Sequence, residues 1–273
     1  MNTKQQKGLN RNIIDKYYTK DNVVHLCLEL FKQNIKIKDN DLIIEPSAGN
    51  GAFITGIKTI TKNFKFYDIE PENQEIIKQD YLLYESDNNN FDKIHVIGNP
   101  PFGRQSSLAI KFIKRSCVFC DSISFILPKS FKKDSLKKTY PLNFHLLFEI
   151  DLPVKSFLVD GIEHDVPCIF QIWEKKPYNR VQPKKINPLN FIFVEKNDNP
   201  DISFRRVGVN AGIIDVKIDT KSVQSHYFIK FTNKKSINDN IQQLSTITYD
   251  FNNTVGPKSI SKQELIVKFN TLL

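Results

Sequence analysis

The residues best suited to chemistry fall at the ends of short apolar runs. Leu42-Ile43-Ile44 reads as a buried strand and runs into Glu45-Pro46-Ser47-Ala48-Gly49-Asn50-Gly51, after which Ile54 to Ile60 reads as a helix. Glycines after a strand let the backbone pass close to a ligand, and the helix that follows contributes aligned N–H groups. An acid at the strand end suits a ligand's ammonium group and repels a phosphate, and the missing Gly-Lys-Ser/Thr argues against a P-loop. Asp68 closes the next apolar run, Phe64 to Tyr67, 17 residues beyond Gly51. In doubly wound folds this is where a carboxylate receives ribose hydroxyls. Asp80 ends the third unit and could accept a hydrogen bond from an adenine amino group. Each feature alone also fits a turn or a helix cap, but their order at consecutive strand ends points to a nucleoside-like ligand.

The class of chemistry is set by Asn99-Pro100-Pro101-Phe102, which follows the apolar run Lys93 to Ile97. Two consecutive prolines fix the backbone and remove two N–H donors. The Asn99 amide oxygen and the Pro100 carbonyl then become two acceptors aimed at one place. A planar amino group has two N–H bonds, and two acceptors can hold both while raising electron density at nitrogen. Phe102 supplies a face on which an extruded base could stack.

The elements that must position these residues alternate along the chain. Val23 to Phe31 has helical apolar spacing, with Asp21 or Asn22 as its N-cap. Glu72 to Lys78 fits a short helix, Ser107 to Phe119 a longer one, Ile123 to Leu127 a strand and Lys129 to Leu136 a basic helix or turn. Phe144 to Asp151 and Cys168 to Glu174 read as antiparallel edge strands flanking a polar loop. This alternation predicts an α/β fold, a parallel sheet with helices on both faces. Pro177, Pro183 and Pro188 punctuate a linker-like stretch. Residues 190–232 then suggest small antiparallel strands with Gly208 and Gly212 at turns or bulges, and Ile260 to Leu272 a final helix. Residues 1–16 read as a flexible polar arm, and Asn88-Asn89-Asn90 is the one low-complexity tract.

On these residues the sequence resembles the class I S-adenosylmethionine-dependent amino-methyltransferases of the gamma arrangement, typified by the Taq-type DNA adenine-N6 enzymes. The likeness covers the first ~175 residues: Tyr17-Tyr18-Thr19 and the following helix, Glu45-Pro46 through Phe53, Asp68-Ile-Glu-Pro71, Asp80, the NPPF tetrad, ISFILPKSF, and DLPVKSF…CIFQIWEK. It implies a Rossmann-like seven-stranded methyltransferase sheet over residues 1–180, with a small β-rich extension, 181–273, as a nucleic-acid or partner-binding element. It implies S-adenosylmethionine held by Thr19, Glu45, Ser47, Gly49, Gly51, Asp68, Ile69, Asp80, Tyr81 and Asn99. Catalysis would fall to Asn99, Pro100 and Phe102, and substrate contact to Pro101, Phe102, Arg104, Phe157 and Lys129. Phe157 matches the aromatic that stacks on the extruded base, across a loop of different length and composition. The large target-recognition domain of such enzymes has no counterpart of that size in the ~90 residues that follow. The expected reaction is methylation of the adenine N6 amino group in nucleic acid, DNA ahead of RNA. The NPPF/NPPY tetrad also serves RNA adenine and protein glutamine methyltransferases, and a silent nucleic-acid-binding module on this fold is the non-enzymatic alternative.

Composition agrees with a globular intracellular protein. The 273 residues are 40% apolar and 25% charged, with no apolar run long enough for a membrane span and no signal peptide at Met1-Asn2-Thr3-Lys4. The net charge is +9, unevenly spread. Residues 1–99 carry 13 basic and 14 acidic groups, 100–185 carry 15 and 8, and 186–273 carry 11 and 8. Such basic surface attracts polyanions. Lys129, Lys132, Lys133, Lys137 and Lys138 could follow a phosphate backbone, and Arg205-Arg206 could add a second contact. Four cysteines and five scattered histidines offer no ligand spacing, Cys117-Val-Phe-Cys120 falling in a helical apolar pattern, so no metal is expected.

Overall fold

A computed structural model describes residues 17–85, 90–182, 184–249, 251 and 257–273. The arm expected over 1–16, Asn88-Asn89 and Pro183 lie outside the described residues. The chain divides after Arg180 into two compact units, 1–180 and 181–273.

The first unit opens with β1 (Tyr18–Thr19) and α1 (Asp21–Asn34), then alternates β2 (Leu42–Glu45), α2 (Ile54–Ile60), β3 (Phe64–Asp68), β4 (Ile77–Lys78), β5 (Ile94–Gly98), α3 (Ser107–Phe119) and β6 (Ser122–Pro128). After one helical turn, α4 (Asp134–Lys137), come β7 (Phe144–Asp151), β8 (Phe157–Val159), β9 (Ile162–His164) and β10 (Cys168–Lys175). Seven strands form one sheet in the order β4-β3-β2-β5-β6-β10-β7. The first five are parallel to one another, and β10 is antiparallel to both β6 and β7. This is the Rossmann-like seven-stranded sheet that the alternation and the resemblance imply. The side chains of successive strand residues enter opposite cores, as the period of two requires. Ile43, Ile97, Ile126, Phe170 and Ile172 pack with α1 and α2, while Leu42, Ile44, Val96, Phe125 and Leu127 pack with α3.

From β2 the chain moves outward to β3 and β4, then returns to the other side of β2 as β5. That reversal is the topological switch point, where the helices leave opposite faces and a crevice opens at the strand ends. Glu45 ends β2, Asp68 ends β3, and Asn99 follows β5.

Several elements differ from expectation. Lys20, whose side chain makes no capping bond, occupies the N-cap of α1, and Asp21 is the first helical residue. The helix expected over Glu72 to Lys78 is a turn leading into β4. Asn73 draws the N–H of Glu75 to its side chain at 2.9 Å and the N–H of Ile76 to its carbonyl at 3.1 Å, which competes with helical pairing. The basic segment from Lys129 splits into a 3-10 turn, Lys129–Lys132, and α4, because Lys133 between them is extended. The polar loop between β7 and β10 forms the β8–β9 hairpin, which joins β1 in a separate three-stranded sheet.

The second unit has a four-stranded antiparallel sheet of β11 (Phe191–Val194), β12 (Ile202–Arg205), β13 (Ile214–Asp215) and β14 (His226–Phe231), ordered β11-β14-β12-β13. Helices α5 (Ile237–Leu244) and α6 (Lys262–Asn270) bury Leu244, Leu265, Ile266 and Phe269 against Phe191, Ile202, Phe204 and Ile229. Helix α5 was not expected from the sequence, although Ser236 caps it and Ile237, Ile241 and Leu244 recur at helical spacing. Ser261 caps α6 in a reciprocal box with Glu264.

Candidate active site

A cavity of about 370 Å³ opens at the switch point. Its wall includes Thr19, Glu45, Ser47, Gly49, Asp68, Ile69, Asp80, Tyr81, Asn99, Pro100, Pro101 and Phe102, so most of the residues singled out from the sequence meet there. Gly51 does not line it. Its N–H donates to Ala48 O at 2.7 Å, and its φ of +90° holds the turn that leads into α2.

Two carboxylates face different conditions. The Asp68 side chain accepts the Gly49 N–H on one oxygen and the Glu70 N–H on the other, both at 2.8 Å. Backbone donors thus fix its plane while lone pairs remain for a ligand. Glu45 is buried, and its Oε2 has no hydrogen-bond partner. Burial, together with the charge of Asp68, pushes its pKa up to about 8. At neutral pH its carboxyl therefore keeps its proton until a cation or donor arrives. Asp80 is exposed and caps the 3-10 turn Tyr81–Leu83 by accepting the Leu82 N–H at 2.9 Å. Tyr81 is anchored below by its hydroxyl contact with Ser116 Oγ at 2.8 Å.

The corner after β5 is tied to β1. The Asn99 amide nitrogen donates to Tyr17 O and to Thr19 Oγ1, each at 3.2 Å. A main-chain carbonyl cannot donate, so this pairing assigns the amide nitrogen to the β1 side and the oxygen to the other. That oxygen, Oδ1, is buried and has no partner. Ser47 Oγ donates to Asn99 O at 3.1 Å, joining the loop after β2 to the loop after β5. Pro100 is buried and Pro101 exposed, while Phe102 is half-buried between the two cores. Gly103 then turns the chain at φ +67°, where a Cβ would lie 2.8 Å from Leu108 Cγ.

No protein-family model and no curated protein matches the chain. Among solved structures it is similar to a candidate RNA methyltransferase of Pyrococcus horikoshii, at 16% identity over 62% of this chain and 92% of that one, with a TM-score of 0.49. It is also similar to a candidate class I S-adenosylmethionine-dependent methyltransferase of Listeria monocytogenes (18% identity, 62% and 64% of the two chains, TM-score 0.45) and to an rRNA methylase of Streptococcus thermophilus (14%, 56% and 96%, 0.39). At these values the likenesses carry no conclusion about activity or substrate.

Three expected substrate contacts stand apart from the cavity wall. Phe157 has no exposed surface; it packs edge-on to Tyr17, ring centres 6.2 Å apart, and pairs with Thr19 across β1 and β8. It therefore offers no face to a base, and its role is to seat β1. Lys129 lies 3.4 Å from Asp151, whose other oxygen is 2.8 Å from Lys132 Nζ. Arg104 is exposed and starts the 3-10 turn after Gly103. The sequence reading missed Tyr17, Tyr18, Leu108 and Phe112 as wall residues. Tyr17 and Tyr18 precede the first helix with no strand pattern, and Leu108 and Phe112 fall within a segment expected only as a helix.

Proposed function

We propose that the first unit is an S-adenosylmethionine-dependent methyltransferase acting on the N6 amino group of adenine in nucleic acid, DNA ahead of RNA. The observation that carries this reading is the anchored Asn99 amide, whose nitrogen is spent on β1 and whose oxygen has no partner. A buried acceptor without a donor costs about 1–3 kcal/mol, which a substrate N–H would recover.

The cavity suits this cofactor in size and donor set. Glu45 Oε2 lacks a donor, which the ammonium of the methionine moiety provides; Asp68 has oriented lone pairs for ribose hydroxyls; Phe102, Leu108 and Phe112 give an apolar wall for the adenine ring. When bound, S-adenosylmethionine supplies an electrophilic methyl group on a sulfonium. The chain's own part is orientation. Asn99 Oδ1 and Pro100 O accept the two N–H bonds of the target amino group, drawing its nitrogen toward tetrahedral geometry and freeing the lone pair from the ring. No side chain needs to act as a strong base, because the nitrogen becomes acidic once it carries positive charge. DNA is placed ahead of RNA on the sequence resemblance, and nucleic acid ahead of protein on the basic surface.

The test is nucleoside mass spectrometry of DNA and RNA incubated with the protein and methyl-deuterated cofactor. Labelled N6-methyladenosine or its deoxy form supports the proposal. Cofactor binding with no labelled adenine in either polymer overturns the substrate assignment, and no binding at all overturns the enzyme.

A further inference from the structure

In the second unit, segments 206–208 and 258–260 run side by side. The Ile260 N–H donates to Arg206 O at 2.8 Å, the Gly208 N–H donates to Lys258 O at 2.9 Å, and Val207 bridges Ser259. Helix α6 begins two residues later, at Lys262. Three cations leave this small region, and each sits on an aromatic ring. The Arg206 guanidinium carbon is 5.6 Å from the Tyr227 ring centre. Lys262 Nζ is 4.7 Å from that of Phe193 and 5.8 Å from that of Tyr227. Lys258 Nζ lies 4.8 Å from that of Phe251.

Among the described residues, none of the three has a carboxylate partner. Glu264, whose charge acts on the same Tyr227, accepts the Ser261 N–H at 2.7 Å in the cap of α6. This differs from the lysines of the first unit that looked suited to a phosphate backbone. There Lys129 and Lys132 share Asp151, and Lys137 pairs with Glu149 at 3.0 Å. Arg205 donates its Nε–H to Val207 O at 2.8 Å, and Arg206 itself donates from Nη2 to Gln224 O at 2.7 Å, a neutral acceptor that orders the guanidinium and leaves its charge whole.

The difference matters physically. A carboxylate orders a cation and cancels its charge, whereas a ring face orders it and leaves the charge whole. Ordering before contact lowers the entropy lost on binding. Three ordered, uncancelled cations on a unit with 13 basic and 8 acidic residues complement a polyanion. We infer that Arg206, Lys258 and Lys262 form a docking surface for the phosphodiester backbone of a nucleic acid. The inference rests on the nucleic-acid half of the function proposed above and not on methyl transfer.

Fluorescence anisotropy of the full chain without cofactor, using a labelled DNA duplex and an RNA of the same sequence, tests it over a salt series. Arg206→Gln/Lys258→Gln/Lys262→Gln should weaken binding of the preferred polymer about tenfold or more at low salt and lower its log–log salt slope by about 3. The exposed pair Lys258→Gln/Lys262→Gln, which leaves the Arg206–Tyr227 contact intact, should lower the slope by about 2. Lys184→Gln/Lys185→Gln/Lys234→Gln removes the same formal charge elsewhere on the unit. An equal loss in that control overturns the assignment, as does unchanged affinity in the first two variants, no binding of either polymer, or equal binding of poly-glutamate. Binding that depends on these residues in a protein unable to transfer methyl groups would uphold the surface and refute only the enzyme.

Discussion

At the scale of single residues, the proposed reaction depends on acceptors whose donors are missing. Asn99→Ala should abolish turnover, and calorimetry should find cofactor binding retained, because the Glu45 and Asp68 positions are untouched. Active Asn99→Ala protein would remove the amide from the mechanism. Glu45 gives a second prediction through pH. A carboxyl whose pKa rises on folding from 4.5 to about 8 binds its proton more tightly in the native state. The stability this confers is complete below about pH 4.5 and is lost as pH rises toward 8. The ligand-free protein should lose a few kcal/mol across that window in denaturant titrations, and Glu45→Gln should remove most of the decline. An identical pH profile in wild type and Glu45→Gln would show that the buried carboxyl is not responsible.

At the scale of elements, the loop after β5 is held by one glycine. Gly103 sits at positive φ with Leu108 packed where a side chain would go, so Gly103→Ala should cost roughly 1–3 kcal/mol and shift the turn that carries Phe102. Lower thermal stability with weakened cofactor binding is the expected pair of readings; a neutral effect on both would mean that the turn relaxes freely. The same elements show what can be read in a sequence. Strands β2, β5 and β6 were legible because they are buried on both faces and so carry runs of apolar residues interrupted only by Glu45, His95, Ser122 and Ser124, and α2 and α3 because their apolar spacing is helical. Residues at strand ends inherit that legibility, which is why Glu45, Asp68 and Asn99 could be brought to one crevice before any coordinates. What stayed hidden was pairing between distant segments. Tyr17 and Thr19, at the start of the first unit, carry no periodicity, yet they hold the Asn99 amide. Nothing in the composition of 152–167 says that β8 turns away from the main sheet to join β1, burying Phe157. At Glu72 to Lys78, where a short helix was expected, the Asn73 side chain and carbonyl captured the local N–H groups.

At the scale of the whole molecule, the first unit is closed by its last residue. The Arg180 guanidinium donates to the carbonyls of Lys137 at 3.1 Å and Tyr140 at 2.9 Å, and also to those of Pro141 and Phe144, while stacking 5.2 Å from the Trp173 ring centre. Arg180→Ala should cost about 2 kcal/mol and lower the Tm of this unit by about 4–8 °C in calorimetry. An unchanged Tm would mean that water replaces the guanidinium without loss. The clamp also bears on how the protein is made. Strand β10 is synthesised after β7 but lies between β6 and β7. Until Cys168–Lys175 has left the ribosome, the nascent sheet carries an open, apolar flank along Ser122–Pro128 that invites pairing with other chains. Translation that stalls between codons 130 and 168 should therefore yield aggregating or chaperone-bound fragments, whereas release past Arg180 yields a sheet with that flank covered.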